Sequence, residues 1–157
     1  MFSSLMHIAI YTDNIDEMIR FYTEQLGGIL KYKVTYRIYL DREDRPENQK
    51  IARVDPDRIF NAYVEIAPGQ FLEFFPKQEG QVPDVPFGKR LGLFHFALLT
   101  ENIFSKRAEL EARGVAFDTD ISKGPSGTYQ MWIHDPDGNR FEIMQYTEES
   151  YQLKGAE

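Results

Sequence analysis

Residues 6–28 read MHIAIYTDNIDEMIRFYTEQLGG, and residues 94–114 read FHFALLTENIFSKRAELEARG. Laid over one another with His7 on His95, they align Ala9 with Ala97, Thr12 with Thr100, Asn14 with Asn102 and Ile15 with Ile103. A second register, nearer the end of each half, lays FLEFFP (71–76) on RFEIMQ (140–145) and brings Glu73 onto Glu142. The two offsets are 88 and 69, so the first half carries 19 extra residues between its His and its Glu. Such self-similarity marks a duplicated supersecondary unit.

Both halves share one grammar. A short strand (5–11 or 93–99) precedes an Asn at a helix N-cap position, Asn14 or Asn102. Glu17 stands three residues after Asn14, where a capping box would place it. Ile15, Met18, Ile19, Tyr22 and Leu26 then recur at the helical period, and Gly27-Gly28 stop the helix as Gly114 stops its counterpart. Strands follow at 61–67 and 70–75, joined by Pro68-Gly69, and at 128–134 and 139–146, joined by Asp135-Pro136-Asp137-Gly138. Two further strands are predicted near 29–37 and 115–118, and the charged run 41–58 is predicted as the extra loop.

The fold class is therefore α+β, with tandem βαβββ modules related by pseudo-two-fold symmetry. The expected organisation is a single domain over 1–157, with module 1 at 5–75, a Pro/Gly-rich linker at 76–92, module 2 at 93–146 and a tail at 147–157.

Composition excludes several classes. Hydrophobic residues make up 42% of the 157, with twelve Phe and nine Tyr, enough for a sizeable core. The net charge is −7, from 25 acidic and 18 basic residues, which argues against a nucleic-acid partner. There is no cysteine, so disulfides, thiolate chemistry and Cys-based zinc sites are out. No stretch nears the apolar length of a membrane span, and MFSSLMHIAIYTDN lacks a basic n-region. The expectation is a soluble cytoplasmic protein with a small-molecule substrate.

Alternate strand residues share a face, so His7 lies with Ala9 and Tyr11, and His95 with Ala97 and Leu99. The opposite face carries Met6, Ile8 and Ile10, or Phe94, Phe96 and Leu98, and reads as core under the helix. Glu73 and Glu142 sit among large apolar residues, where a carboxylate is costly unless its charge is compensated. Two imidazoles and two carboxylates at repeat-equivalent positions can share one divalent cation, and Ni, Co, Zn, Mn or Fe all suit such a set.

The markers MHIAIYTDNIDEMIRFYTEQLGG, LFHFALLTEN and HDPDGNRFEIMQ make the chain resemble the vicinal oxygen chelate superfamily, which comprises glyoxalases, bleomycin-resistance proteins and extradiol dioxygenases. The His, Glu, His, Glu set looks most like glyoxalase I, the lactoylglutathione lyase. That resemblance implies His7, Glu73, His95 and Glu142 as metal ligands, and curved mixed sheets forming a cavity around the ion. It also implies proton transfer next to a carbonyl through a metal-stabilised enediolate, on a substrate such as the hemithioacetal of methylglyoxal. Glu142 is then the first choice of catalytic base, with Glu73 as its symmetric partner.

Tyr11 stands where glyoxalase I enzymes commonly carry an arginine, and Lys77 where they often carry an asparagine, which puts glutathione as co-substrate in doubt. Tyr11, Lys77, Lys123 and Trp132 are the candidate substrate-binding residues. Lys123 precedes Gly124-Pro125-Ser126-Gly127, which reads either as a small anion nest or as a loop into the next strand. Alternatives within the superfamily are an acyl-CoA epimerase-like enzyme, a dioxygenase-like enzyme and a metal-free bleomycin-resistance-like binding protein. Glu73 would fill the position a dioxygenase or a fosfomycin-type thiol transferase keeps open, and His134, the remaining histidine, reads as a strand end. Relatives of this size resemble homodimers. The 17-residue linker spans roughly 55 Å when extended, so it permits sites shared between two chains.

Overall fold

The computed structural model describes residues 3–81, 89 and 92–155. It divides into two compact units, Met1–Gln81 and Val82–Glu157. Most of the predicted linker, 82–88 with 90 and 91, lies outside the described residues.

The first unit runs β1 (His7–Thr12), α1 (Ile15–Arg20), β2 (Ile29–Thr35), α2 (Pro46–Val54), β3 (Ile59–Ala67) and β4 (Gln70–Pro76). Its sheet has the order β1-β4-β3-β2, with β1 parallel to β4 and the other pairs antiparallel. The second runs β5 (Ala97–Leu99), α3 (Ile103–Ala112), β6 (Ser122–Lys123), β7 (Tyr129–His134), β8 (Arg140–Gln145) and a short α4 (Tyr151–Lys154). Its sheet order, β5-β8-β7-β6, repeats the first, again with the leading strand parallel to the last. Each unit is thus one βαβββ module with a mixed four-stranded sheet.

The caps work as read. Asn14 Oδ1 accepts the Glu17 N–H at 3.2 Å, and Asn102 Oδ1 accepts the Ser105 N–H at 2.9 Å. Glu17 returns to the Asn14 side chain, its Oε2 accepting from Nδ2 at 3.0 Å, rather than to the backbone as in a full capping box. After Arg20 the helix widens into a π-helical turn, Phe21–Gln25, with the Leu26 N–H on Phe21 O at 3.1 Å. Gly27 ends it at φ 79°, and a Cβ on Gly28 would come within 2.7 Å of Tyr22 O, so neither position accepts a side chain without strain.

The helices cover the even-numbered face of one sheet and the odd-numbered face of the other. Met18 and Tyr22 pack over Ala62, Val64, Leu72 and Phe74, all fully buried or nearly so, with the Tyr22 and Phe74 rings 5.4 Å apart. In the second unit Ile103 and Leu110 lie over Met131, Ile133, Phe141 and Ile143. Each such large side chain contributes about 1.5–3 kcal/mol by leaving water. The opposite sheet faces carry the site residues.

Four expectations are corrected. Run 41–58 is not simply a loop: Pro46 presets the first turn of α2, Glu47 and Arg53 complement its dipole, and Ala52 is buried. No strand forms at 115–118; Val115 is buried as coil, and the Asp118 N–H donates to Trp132 O at 2.8 Å. The second strand of module 2 is instead Ser122–Lys123. His95 stands two residues ahead of β5 rather than within a strand from 93. Met6 and Phe94, read as core, are more than half exposed at 57% and 53%.

Candidate metal centre

Parallel pairing places Ala9 opposite Glu73 in the first unit and Ala97 opposite Glu142 in the second. Each His lies two residues before its Ala, so the imidazole reaches diagonally to the carboxylate over a methyl group. His7 Nε2 lies 3.5 Å from Glu73 Oε2, and His95 Nε2 lies 3.2 Å from Glu142 Oε2. Both carboxylates are buried, 9% and 8% exposed, on strands otherwise apolar.

The structure therefore brings the four predicted ligands together as two pairs, one in each unit. Among the described residues no cluster of three or more His, Cys, Asp or Glu is able to hold a metal ion. Within each pair the chemistry fits one. Two donor atoms each about 2.1 Å from the same ion, at angles of 90–110°, lie about 3.0–3.4 Å apart. The 3.2 Å separation of His95 and Glu142 falls within that spacing, and the 3.5 Å of His7 and Glu73 lies just beyond it. Imidazole nitrogen with carboxylate oxygen is also the donor set that divalent transition ions favour.

Glu73 has further partners that the sequence reading missed. Asn61 Nδ2 donates to Glu73 Oε1 at 2.6 Å, and Tyr63 stands directly opposite Glu73 in the strand ladder. Burial pushes the Tyr63 phenol up, and the Glu73 carboxylate pushes it further. Tyr32 stacks on Tyr63 with ring centroids 4.8 Å apart, and His7 meets the same ring edge-on at 5.7 Å. Alternation along β3 and the register Tyr63↔Glu73 could have found Tyr63, because any residue opposite a buried strand glutamate shares its face.

The candidate substrate-binding residues fall two in each unit. Tyr11 is exposed and tilted against Phe75, centroids 5.8 Å apart. Lys77 is paired with Asp13 at 2.9 Å. Lys123 is tied to Glu149 and borders an open depression with Gly124, Pro125, Gly127, Tyr151 and Lys154. Trp132 meets His95 edge-on at 4.7 Å, and the Arg140 guanidinium lies 5.1 Å from its ring. Of the four, Trp132 is the one whose ring meets a predicted ligand among the described residues. His134 is half-exposed at its strand end and pairs with Asp118 at 2.7 Å.

Residues 4–143 match the family model described as the Glyoxalase/Bleomycin resistance protein/Dioxygenase superfamily. The chain belongs to that superfamily. One relative, the uncharacterized protein YwbC of Bacillus subtilis (strain 168), is 28% identical over 146 residues, covering 88% of this chain and 94% of its own. A glyoxalase family protein from Enterococcus faecalis has a similar structure, with TM-score 0.66, 24% identity, and coverage of 91% of this chain and 98% of that one. A lactoylglutathione lyase from Agrobacterium tumefaciens gives TM-score 0.60 at 20% identity, covering 98% of both chains. These two structural likenesses establish the fold shared across the glyoxalase superfamily. Among the described residues of this member no helix is long and apolar enough to cross a membrane.

Proposed function

We propose that this glyoxalase-superfamily chain is a metal-dependent lyase or isomerase that moves a proton next to a substrate carbonyl, with His7, Glu73, His95 and Glu142 holding one divalent ion. The observation that supports this best is the repetition of one arrangement: an imidazole facing a buried carboxylate across a small Ala, in both modules. A buried carboxylate without compensation costs several kcal/mol, so two of them at equivalent positions argue for a cation. The ion, when bound, polarises the substrate's neighbouring oxygens and stabilises the negative charge that develops there.

Glu142 takes the proton from the carbon beside the carbonyl and returns it to the adjacent carbon. Glu73 stays in place as its fixed counterpart. Trp132, against His95, forms an apolar wall that keeps water from that imidazole. We further propose a cytoplasmic homodimer, with sites shared between chains as the favoured arrangement.

A second reading, an acyl-CoA epimerase-like reaction, keeps nearly the same proton-transfer chemistry without glutathione. Lys77 is neutralised by Asp13 and Tyr11 is uncharged, so neither offers a free cation to a glutathione carboxylate. Elemental analysis of purified protein comes first, with about one divalent transition metal per chain expected. Proton exchange measured on a panel of hemithioacetals and acyl-CoA thioesters then separates the two substrate classes. Absence of stoichiometric metal binding would leave only a binding protein of the bleomycin-resistance kind.

A further inference from the structure

The two glutamates are equivalent by repeat but not by surroundings. Glu73 is held on three sides: Asn61 donates to Oε1 at 2.6 Å, Tyr63 stands opposite it in the strand ladder with its phenol perturbed by the carboxylate, and His7 faces Oε2 at 3.5 Å. Asn61 and Tyr63 are themselves buried, at 6% and 9% exposure, and Tyr63 is fixed by stacking on Tyr32 at 4.8 Å. The Asn61 amide is turned so that Nδ2 meets the carboxylate, while its buried Oδ1 has no partner among the described residues. Leaving a buried acceptor unpaired is unfavourable, so the charge-assisted bond to Glu73 dictates that orientation.

The offset of 69 that carries Glu73 onto Glu142 also carries Asn61 onto Gln130 and Tyr63 onto Trp132. Neither replacement reproduces the contacts. Gln130 turns towards Gly124, where an added Cβ would lie 2.7 Å from its Oε1, and Trp132 presents its ring to His95. Among the described residues, the side chain of Glu142 hydrogen-bonds to His95 and to no other.

We propose that Asn61 and Tyr63 are positioning residues that lock Glu73 as a stationary metal ligand, leaving its repeat counterpart Glu142 as the carboxylate free to move. This rests on the metal-site reading above. A carboxylate with three fixed neighbours loses contacts if it swings away from an ion, whereas one with a single neighbour exchanges one partner for another. Duplication supplied two like carboxylates, and the unlike residues at 61/130 and 63/132 divide their labour.

The test is Co²⁺ titration of the full chain, followed by its visible absorption, for wild type, Tyr63→Phe, Asn61→Leu, Glu73→Gln and the double variant Tyr63→Phe/Glu73→Gln. Outer partners of metal ligands are worth about ten- to hundredfold in affinity, so Tyr63→Phe and Asn61→Leu should each weaken Co²⁺ binding by that factor. In the Glu73→Gln background Tyr63→Phe should change the affinity by less than about twofold, because its effect passes through Glu73. Circular dichroism identifies any variant that fails to fold, and either folded single variant suffices. Wild-type affinity in a folded Tyr63→Phe or Asn61→Leu chain overturns the inference. Equal losses from Tyr63→Phe in both backgrounds also overturn it. Undiminished Co²⁺ affinity in Glu73→Gln, or none in wild type, removes the metal-site reading itself, a different and separately visible result.

Discussion

His95 Nε2 sits 3.2 Å from Glu142 Oε2, with Trp132 closing against the imidazole at 4.7 Å. Replacing Glu142 with Gln keeps the volume and one ligand oxygen but removes a proton acceptor. We expect Glu142→Gln to fold and to lose about a hundredfold or more in turnover. Turnover on the best substrate of the panel, together with metal content, checks this. Wild-type turnover would remove Glu142 from the proton path.

Shared and single-chain sites give opposite results on mixing. His7→Ala and His95→Ala chains should each be inactive. If sites are shared, a mixed dimer holds one site with all four ligands and one with two. Random reassortment should then restore about a quarter of wild-type activity. No recovery after proven subunit exchange would assign each site to one chain.

Glu65 offers a pH prediction away from the site. Its carboxylate accepts the Gly69 N–H at 2.9 Å, the larger cause of its lowered pKa, and pairs with Lys31 at 3.0 Å. A carboxyl depressed in the folded state stabilises it fully above the ordinary glutamate value, and that contribution is lost as pH falls through the lower folded value. Glu65→Gln should therefore lower the melting temperature at neutral pH and flatten its decline below about pH 4.3. Thermal melts across pH 2–7 measure both. A parallel acid decline in the two proteins would contradict it.

Phe74 is fully buried against Tyr22 on the helix-covered face, one position along from Glu73. Phe74→Ala should cost about 3–5 kcal/mol of stability through lost burial and a residual cavity. Denaturant unfolding reads this directly. A loss below 1 kcal/mol would show that the helix–sheet layer collapses onto the vacancy.

Much of this was legible in the chain because duplication states each feature twice. Asn14 and Asn102 cap, Gly27 and Gly114 stop, and each His comes to face its own Glu. What escaped notice has physical reasons. Helix α2 was hidden by charge, since its exposed face outweighs the single buried Ala52. The strand at 115–118 failed because Val115 is buried in coil, while pairing with β7 falls to Ser122 and Lys123, which carry no hydrophobic signature. Asn61 and Tyr63 were invisible because they look like ordinary strand residues until the register sets them beside Glu73.

The excursion that separates β2 from β3 leaves and returns at one place. The Tyr36 N–H donates to Arg58 O at 2.9 Å and the Arg37 N–H to Pro56 O at 2.8 Å, so the two ends are stitched together before α2 begins. Thr35 and Ile59 already pair as strand neighbours, which makes the whole segment an enlarged hairpin tip. Lengthening such a tip costs little, about 0.6 kcal/mol per doubling. Descent can therefore trim, recharge or replace this segment as a cassette while the four strands behind it keep their spacing. In lineages carrying this scaffold, variation should gather there first, long before it reaches the paired imidazole and carboxylate.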